Sequence, residues 1–145
     1  MDEHGLVLED AWKITSATMA YTNHTLLPEA LERWPVATFA RMLPRLLDII
    51  FEINADFLAK VARRWPGDTE RQRRMSIIEE GPVPQVRMGY LALVGSFSVN
   101  GVAALHSDLL TKGLFRDFAE LWPEKFNNKT NGVTQRRWLA ACNPA

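Results

Sequence analysis

Tyr21 to Pro35, YTNHTLLPEALERWP, sets a polar knot, Thr22-Asn23-His24-Thr25, between two apolar segments. Side chains of this kind bond nearby backbone, so a helix does not run through them. Pro28 opens a short helix, because proline is tolerated in a first turn. That helix is expected to end against Trp34-Pro35. Hydrogen-bonding side chains in a loop at a helix end are how a scaffold aims polar groups at a ligand. Spacing alone is equally satisfied by a capped helix junction.

On the N-terminal side, residues Met1 to Leu8 read as a loop. Asp10 is placed to cap a helix running to about Ala20. On the C-terminal side, Val36 to Leu43 reads as a helical turn or two. Pro44 then begins the longest helix, to about Arg64. Leu46, Ile50, Ile53, Phe57 and Val61 recur at three- and four-residue steps, widened by Leu47, Ile49 and Leu58. Trp65-Pro66-Gly67 stops it. Asp68 is expected to cap Thr69 to Arg74. The basic residues around that helix read as a solvated face rather than a nucleic-acid patch. Ser76 to Ile78 and Val86 to Met88 suggest short strands, and Gly89 to Val94 a buried helix. Phe97 to Val99 reads as a strand, followed by a tight turn at Asn100-Gly101. A helix over Val102 to Leu110 would turn Val102, Leu105, Leu109 and Leu110 inward, and Gly113 would break it. Leu114 to Leu121 reads as a further short helix. Phe126 to Asn128 is extended, Thr130-Asn131-Gly132 a turn, and Thr134 the cap of a last helix. The fold class is mainly α with a few short strands.

A chain of 145 residues is one domain's worth, with 47% hydrophobic and 23% charged residues. Seventeen Lys and Arg balance seventeen Asp and Glu, which argues against a dedicated nucleic-acid or membrane-surface protein. One cysteine, Cys142, excludes an internal disulfide and fits a reducing, cytoplasmic compartment. No apolar run reaches membrane-span length. His4, His24 and His106 do not stand in pairs at a ligand spacing, so no metal is expected. No glycine-rich phosphate loop is present. Glu79-Glu80 reads as strand-end solvation rather than a glycosidase pair.

The order of residues says more. YTNHTLLPEALERWP and KFNNKTNGVTQRRWLAACNP (Lys125 to Pro144) resemble signature runs of the α-glucan phosphorylases, the glycogen, starch and maltodextrin phosphorylase family. MSIIEEG (Met75 to Gly81) and GSFSVNGVAALHSDLL (Gly95 to Leu110) resemble it too. Together they cover nearly the whole chain from about Asp10. The resemblance implies a fragment of an α/β two-domain, Rossmann-like glycosyltransferase fold of the GT-B type. Residues 1–145 would be the end of its N-terminal domain and the junction with the second.

The implied activity is transfer of a terminal glucosyl unit from an α-1,4-glucan to phosphate, giving glucose 1-phosphate. The implied partners are glucan and phosphate, with no nucleic acid or membrane. The implied cofactor is pyridoxal phosphate, whose phosphate shuttles a proton to the attacking phosphate. His24, in TNHT, matches a histidine that contacts the glucosyl unit, and Thr25 would line the same pocket. Glu32, in PEALERW, matches a carboxylate beside it. Val102 would give the sugar an apolar wall, and Asn131, in KTNG, matches an asparagine bonded to a sugar hydroxyl. Trp138, in RRWL, matches an aromatic near the cofactor. Each has a plain structural alternative: backbone-bonded histidine, surface glutamate, core valine, turn asparagine, helix anchor. Hydroxyls donate and accept, so neutral amides and imidazoles suit them. Gln135 departs from the family, which carries proline there, and glutamine is expected to loosen the backbone near Asn131 and Trp138.

The family's cofactor lysine and phosphate-holding cations are absent from this sequence, so the isolated chain is expected to be inactive. The alternative is a truncated non-catalytic remnant that binds glucan or protein, associating with another copy through an exposed domain face. Treated with pyridoxal phosphate, then borohydride and dialysis, the chain should retain no lysine adduct by mass spectrometry. A single retained adduct would contradict this reading.

Overall fold

The computed structural model describes residues 3–143; the first two residues of the expected N-terminal loop and the final Pro144 and Ala145 lie outside them. Helix α1 (Leu8–Thr18) starts earlier than expected. Val7 precedes it without a capping side chain, and Asp10 sits with Glu9 inside the first turn. There the two acids meet the positive end of the helix dipole. Strand β1 (Ala20–Thr22) follows. After Pro28 comes a single 3₁₀ turn, Pro28–Ala30, flanked by extended Leu27 and Leu31. The expected short helix is therefore reduced to one turn, and its tail is strand β2 (Arg33–Pro35) instead. Pairing with a later strand claims those backbone groups.

Helices α2 (Val36–Met42) and α3 (Pro44–Arg64) come next. Leu47, Ile50, Ile53, Asn54, Phe57 and Val61 of α3 are buried. Leu46 was expected on that stripe but is 48% exposed. The inward face is centred on Leu47, and Leu46 falls at its edge. Helix α4 (Thr69–Met75) carries the expected cap: the Asp68 carboxylate accepts from the Arg71 amide at 2.9 Å. Strands β3 (Ile78–Glu79) and β4 (Gln85–Arg87) lead into α5 (Met88–Val94), a helix as expected.

Strand β5 (Ser98–Gly101) contains the Asn100-Gly101 pair. That pair is strand rather than tight turn, because neighbours on both sides bond its backbone. Helix α6 (Ala104–Leu109) passes into a π-helical turn, Leu110–Leu114, which absorbs Gly113 without ending the helical path. Leu110 is buried, but Leu105 and Leu109 are 70% and 43% exposed, against expectation. The inward face here is set by His106 and Leu110, one turn apart. Helix α7 (Arg116–Leu121), strand β6 (Phe126–Asn128) and a final π-helical turn, Arg136–Ala141, complete the chain.

The strands form two small sheets. One is parallel, in the order β1-β5-β6, with Tyr21 opposite Val99 and Asn100 opposite Asn127. The other is antiparallel, in the order β2-β4-β3, with Trp34 and Ile78 both opposite Val86. Between them and α3 lies one core. Val61, Met75, Ile77, Val86, Leu93, Val99 and Phe115 are fully buried, and Phe57 stacks on Phe118 at 5.8 Å between centroids. No helix among the described residues is long and apolar enough to cross a membrane.

One polar side chain ties α3 to the antiparallel sheet. The Asn54 carbonyl oxygen accepts from the Ile77 amide at 2.7 Å, and its Nδ2 donates to the Ser76 hydroxyl at 3.2 Å. A buried donor left unpaired costs about 1–3 kcal/mol, and a lost N-cap about 1 kcal/mol. Asn54→Ala should therefore destabilise the chain by roughly 2–3 kcal/mol, clearly more than Asp68→Ala, in urea unfolding. Equal losses would show that Asn54 contributes no more than an ordinary helix cap.

Candidate functional site

All three strands of the parallel sheet point the same way, so their carboxyl ends share one edge. In open parallel sheets that edge is where ligands bind. Residues 23–27 leave it from β1, Val102 and Ala103 from β5, and residues 129–132 from β6. The backbone ladder extends past the strands on both sides. The Asn23 amide donates to the Asn100 carbonyl at 2.9 Å, and the Lys129 amide to the Gly101 carbonyl at 3.1 Å. The loops are thereby anchored at their roots.

Asn23 is 1% exposed and organises the first loop. Its Oδ1 accepts from the Thr25 amide at 2.9 Å, and its Nδ2 donates to the Tyr21 hydroxyl at 3.1 Å. The Thr25 hydroxyl in turn accepts from the Leu27 amide at 3.0 Å. Two successive side-chain turns hold the knot open as a loop. Within it Thr25 is half-buried and His24 is exposed. At the end of β1 the Thr22 hydroxyl donates to Oδ1 of Asn100 on β5 at 2.9 Å, and Asn100 Nδ2 donates to the Gly101 carbonyl. The half-buried Val102 donates its amide to His106 Nδ1 at 3.1 Å, while His106 Nε2 is buried with no partner among the described residues. A bond to Nδ1 puts the proton of neutral His106 on Nε2. Asn131 is exposed beside Gly132, whose φ of +68° suits glycine.

His24, Thr25, Val102 and Asn131 thus stand on three loops of one edge. Glu32 stands elsewhere, at the entry to β2. Its carboxylate accepts from the Trp34 indole at 2.6 Å, and its carbonyl from the Met88 amide. Among the described residues no hydrogen bond ties it to the strand-end loops. Trp138 is 61% exposed on the last turn. Gln135 has φ −56°, inside the range proline imposes.

The edge also uses residues that sequence reasoning passed over: Asn23, Asn100, His106 and Asn127, whose Nδ2 donates to the Ser98 hydroxyl at 2.8 Å. The available signal was an asparagine in or just after each of three short extended segments, where a buried amide needs a partner. A second concavity, an apolar cleft of about 780 Å³, lies away from this edge. It is lined by Trp12, Met19, Trp34, Phe39, Leu43 and Leu46 among others.

Anchored polar loops at the carboxyl edge of a small parallel sheet are thus set within a mainly helical fold. Comparison with known proteins narrows this. A carbohydrate phosphorylase family model matches residues 1–145. The chain is 57% identical over 144 residues to the muscle form of glycogen phosphorylase from Ovis aries, covering 99% of this chain. It is 58% identical over 136 residues to the brain form from Bos taurus, and 57% identical over 144 to a glycogen phosphorylase from Synechocystis. The chain belongs to the carbohydrate phosphorylase family. It spans 16–17% of the length of these relatives.

Gly101 offers a test of the edge. A Cβ there would lie 2.9 Å from both the backbone nitrogen and Cα of Ser107, which cannot swing aside as a side-chain tip does. Gly101→Ala should cost about 1–3 kcal/mol in urea unfolding, the range for overpacking. It should also shift the amide signals of Val102 and His106. A neutral substitution with unmoved signals would mean that β5 and α6 do not pack this closely.

Proposed function

We propose that this chain forms the sugar-facing strand ends of an α-1,4-glucan phosphorylase of GT-B type, the enzyme class that moves a terminal glucosyl unit to phosphate and yields glucose 1-phosphate. The chain would be the end of the N-terminal domain and its junction with the second. The observation that carries the reading is that the loops bearing His24, Thr25, Val102 and Asn131 all leave one carboxyl sheet edge.

The roles follow from chemistry. His24 and Asn131 are exposed, and each has donor and acceptor capacity to pair with a hydroxyl. Val102 offers an aliphatic wall against a sugar ring face. A site built to pair a hydroxyl discriminates strongly against an analogue lacking it. Glu32 would act only if its carboxylate left the Trp34 indole. Pyridoxal phosphate would supply proton transfer through its phosphate. The described residues do not by themselves fit that cofactor. Trp138 is an exposed indole with no buried cationic cradle around it among the described residues. This chain's part is binding and orientation.

A second reading, a protein-binding module, is favoured by the open apolar cleft between α1, α2, α3 and α5. The two are separated by titrating isotope-labelled chain with maltopentaose in amide-detected NMR. The glucan reading expects saturable shifts at His24, Val102 and Asn131, and their loss in His24→Ala. Shifts confined to the cleft, or none at all, would remove it.

A further inference from the structure

Arg87, at the end of β4, carries a largely buried guanidinium. Its Nε donates to the Ser76 carbonyl at 2.9 Å, and its Nη2 to the Ser76 and Arg73 carbonyls, the latter at 3.1 Å. The guanidinium carbon lies 4.3 Å from the centroid of the Tyr90 ring. Among the described residues Arg87 makes no ion pair. Its neighbours have taken the nearby acids. Asp117 serves Arg74 at 2.9 Å and Arg71 at 3.6 Å, while Glu120 serves Arg71 at 2.6 Å and Arg116 at 2.9 Å. Asp68 is bound to Arg71 as well. Four arginines thus meet three carboxylates, and the surplus charge falls on the most buried guanidinium.

Burial disfavours that charge and lowers the Arg87 pKa below the ordinary arginine value, an effect only partly offset by Tyr90 and Glu79. Carbonyl dipoles and an aromatic face do not replace a counter-ion. Beside Arg87 opens a cavity of about 470 Å³, lined also by Arg71, Arg74, Arg116, Tyr90 and Asp117, whose carboxylate is already held by Arg74 and Arg71. The guanidinium groups of Arg74 and Arg116 each bond one carboxylate and keep further N–H groups to give.

We infer that this cavity is a binding site for a small tetrahedral oxyanion of the phosphate type, held by Arg87 with Arg74 and Arg116. Remaining N–H groups on three guanidiniums match an anion with several acceptor oxygens better than a single carboxylate. The site lies on α4, β4 and α7, apart from the carboxyl edge of the parallel sheet, and the inference does not depend on the glucan reading.

The test is amide-detected NMR of the full chain titrated with inorganic phosphate at constant ionic strength, with phenyl phosphate as the monoester. The expected result is saturable shifts at Arg87, Tyr90, Gly113 and Leu114. Arg87→Met should weaken binding by about tenfold, the loss of a charge-assisted bond. Arg116→Gln, at an exposed position outside the core, should weaken it by a smaller factor and guards against misfolding of the first variant. Tighter binding of the monoester would identify a phosphorylated metabolite; equal binding would identify the free anion. No saturable shift, shifts centred on His24 and Asn131, or affinity unchanged in both variants would overturn the inference.

Discussion

Strand β5 must be buried on both flanks, and most of what positions the site depends on that. It is four residues long, yet it bonds β1 on one side and β6 on the other. Val99 fills the core, and Asn100 is buried behind it at 5% exposure. A buried amide is tolerable only when paired. Asn100 is paired by the Thr22 hydroxyl and the Gly101 carbonyl. The pairing fixes the register of β1 against β5, and the register sets the height at which His24 leaves the sheet.

Much of this was legible in the sequence where one physical signal dominated. The buried stripe of α3 was visible because a 21-residue amphipathic helix repeats its pattern many times. The Asp68 cap and the stop at Trp65 were visible because local chemistry decides them. The parallel sheet was not. Its strands are three or four residues long, too short for a period to emerge, and they pair across the chain. Asn100-Gly101 shows the conflict most clearly. Locally it is a strong turn signal, and only two flanking strands turn it into strand. Leu105 and Leu109 mislead in the same way, since leucine counts as inward until the sheet dictates which face of α6 it covers. The order of residues in the two signature runs carried the family, and neither periodicity nor composition would have reached it. Glu32 shares a run with His24 but not a location, because the chain crosses from one sheet to the other between them.

The two polar clusters are built on different terms. At the parallel edge the buried amides pair with hydroxyls and backbone, save Asn127 Oδ1, which has no partner among the described residues, and they leave exposed side chains free to meet solvent or ligand. Around α4 and α7 the groups are charged. There Glu120 is held below the usual carboxylate range by Arg71 first and by Arg116 next, and the Arg74 pKa is raised chiefly by its bond to Asp117. The outer pairs, such as Arg116 with Glu120, contribute little each and weaken with salt. Arg71, whose side chain is only 15% exposed, also lies 4.1 Å from the centroid of the Trp65 ring.

The span between Thr22 and Asn100 has a consequence for how the molecule comes together. The two residues are 78 positions apart, whereas the Ser98–Asn127 bond on the other flank of β5 closes only 29. By loop-closure scaling the wider span costs roughly 1 kcal/mol more. Helix α3 and its neighbours assemble from contacts near in sequence, and near contacts form fastest. The expected order of assembly is helices first, the β5–β6 pair next, and β1 last. On that order the loop that carries His24 is among the final pieces to settle, and it should also be among the first to open when the chain breathes.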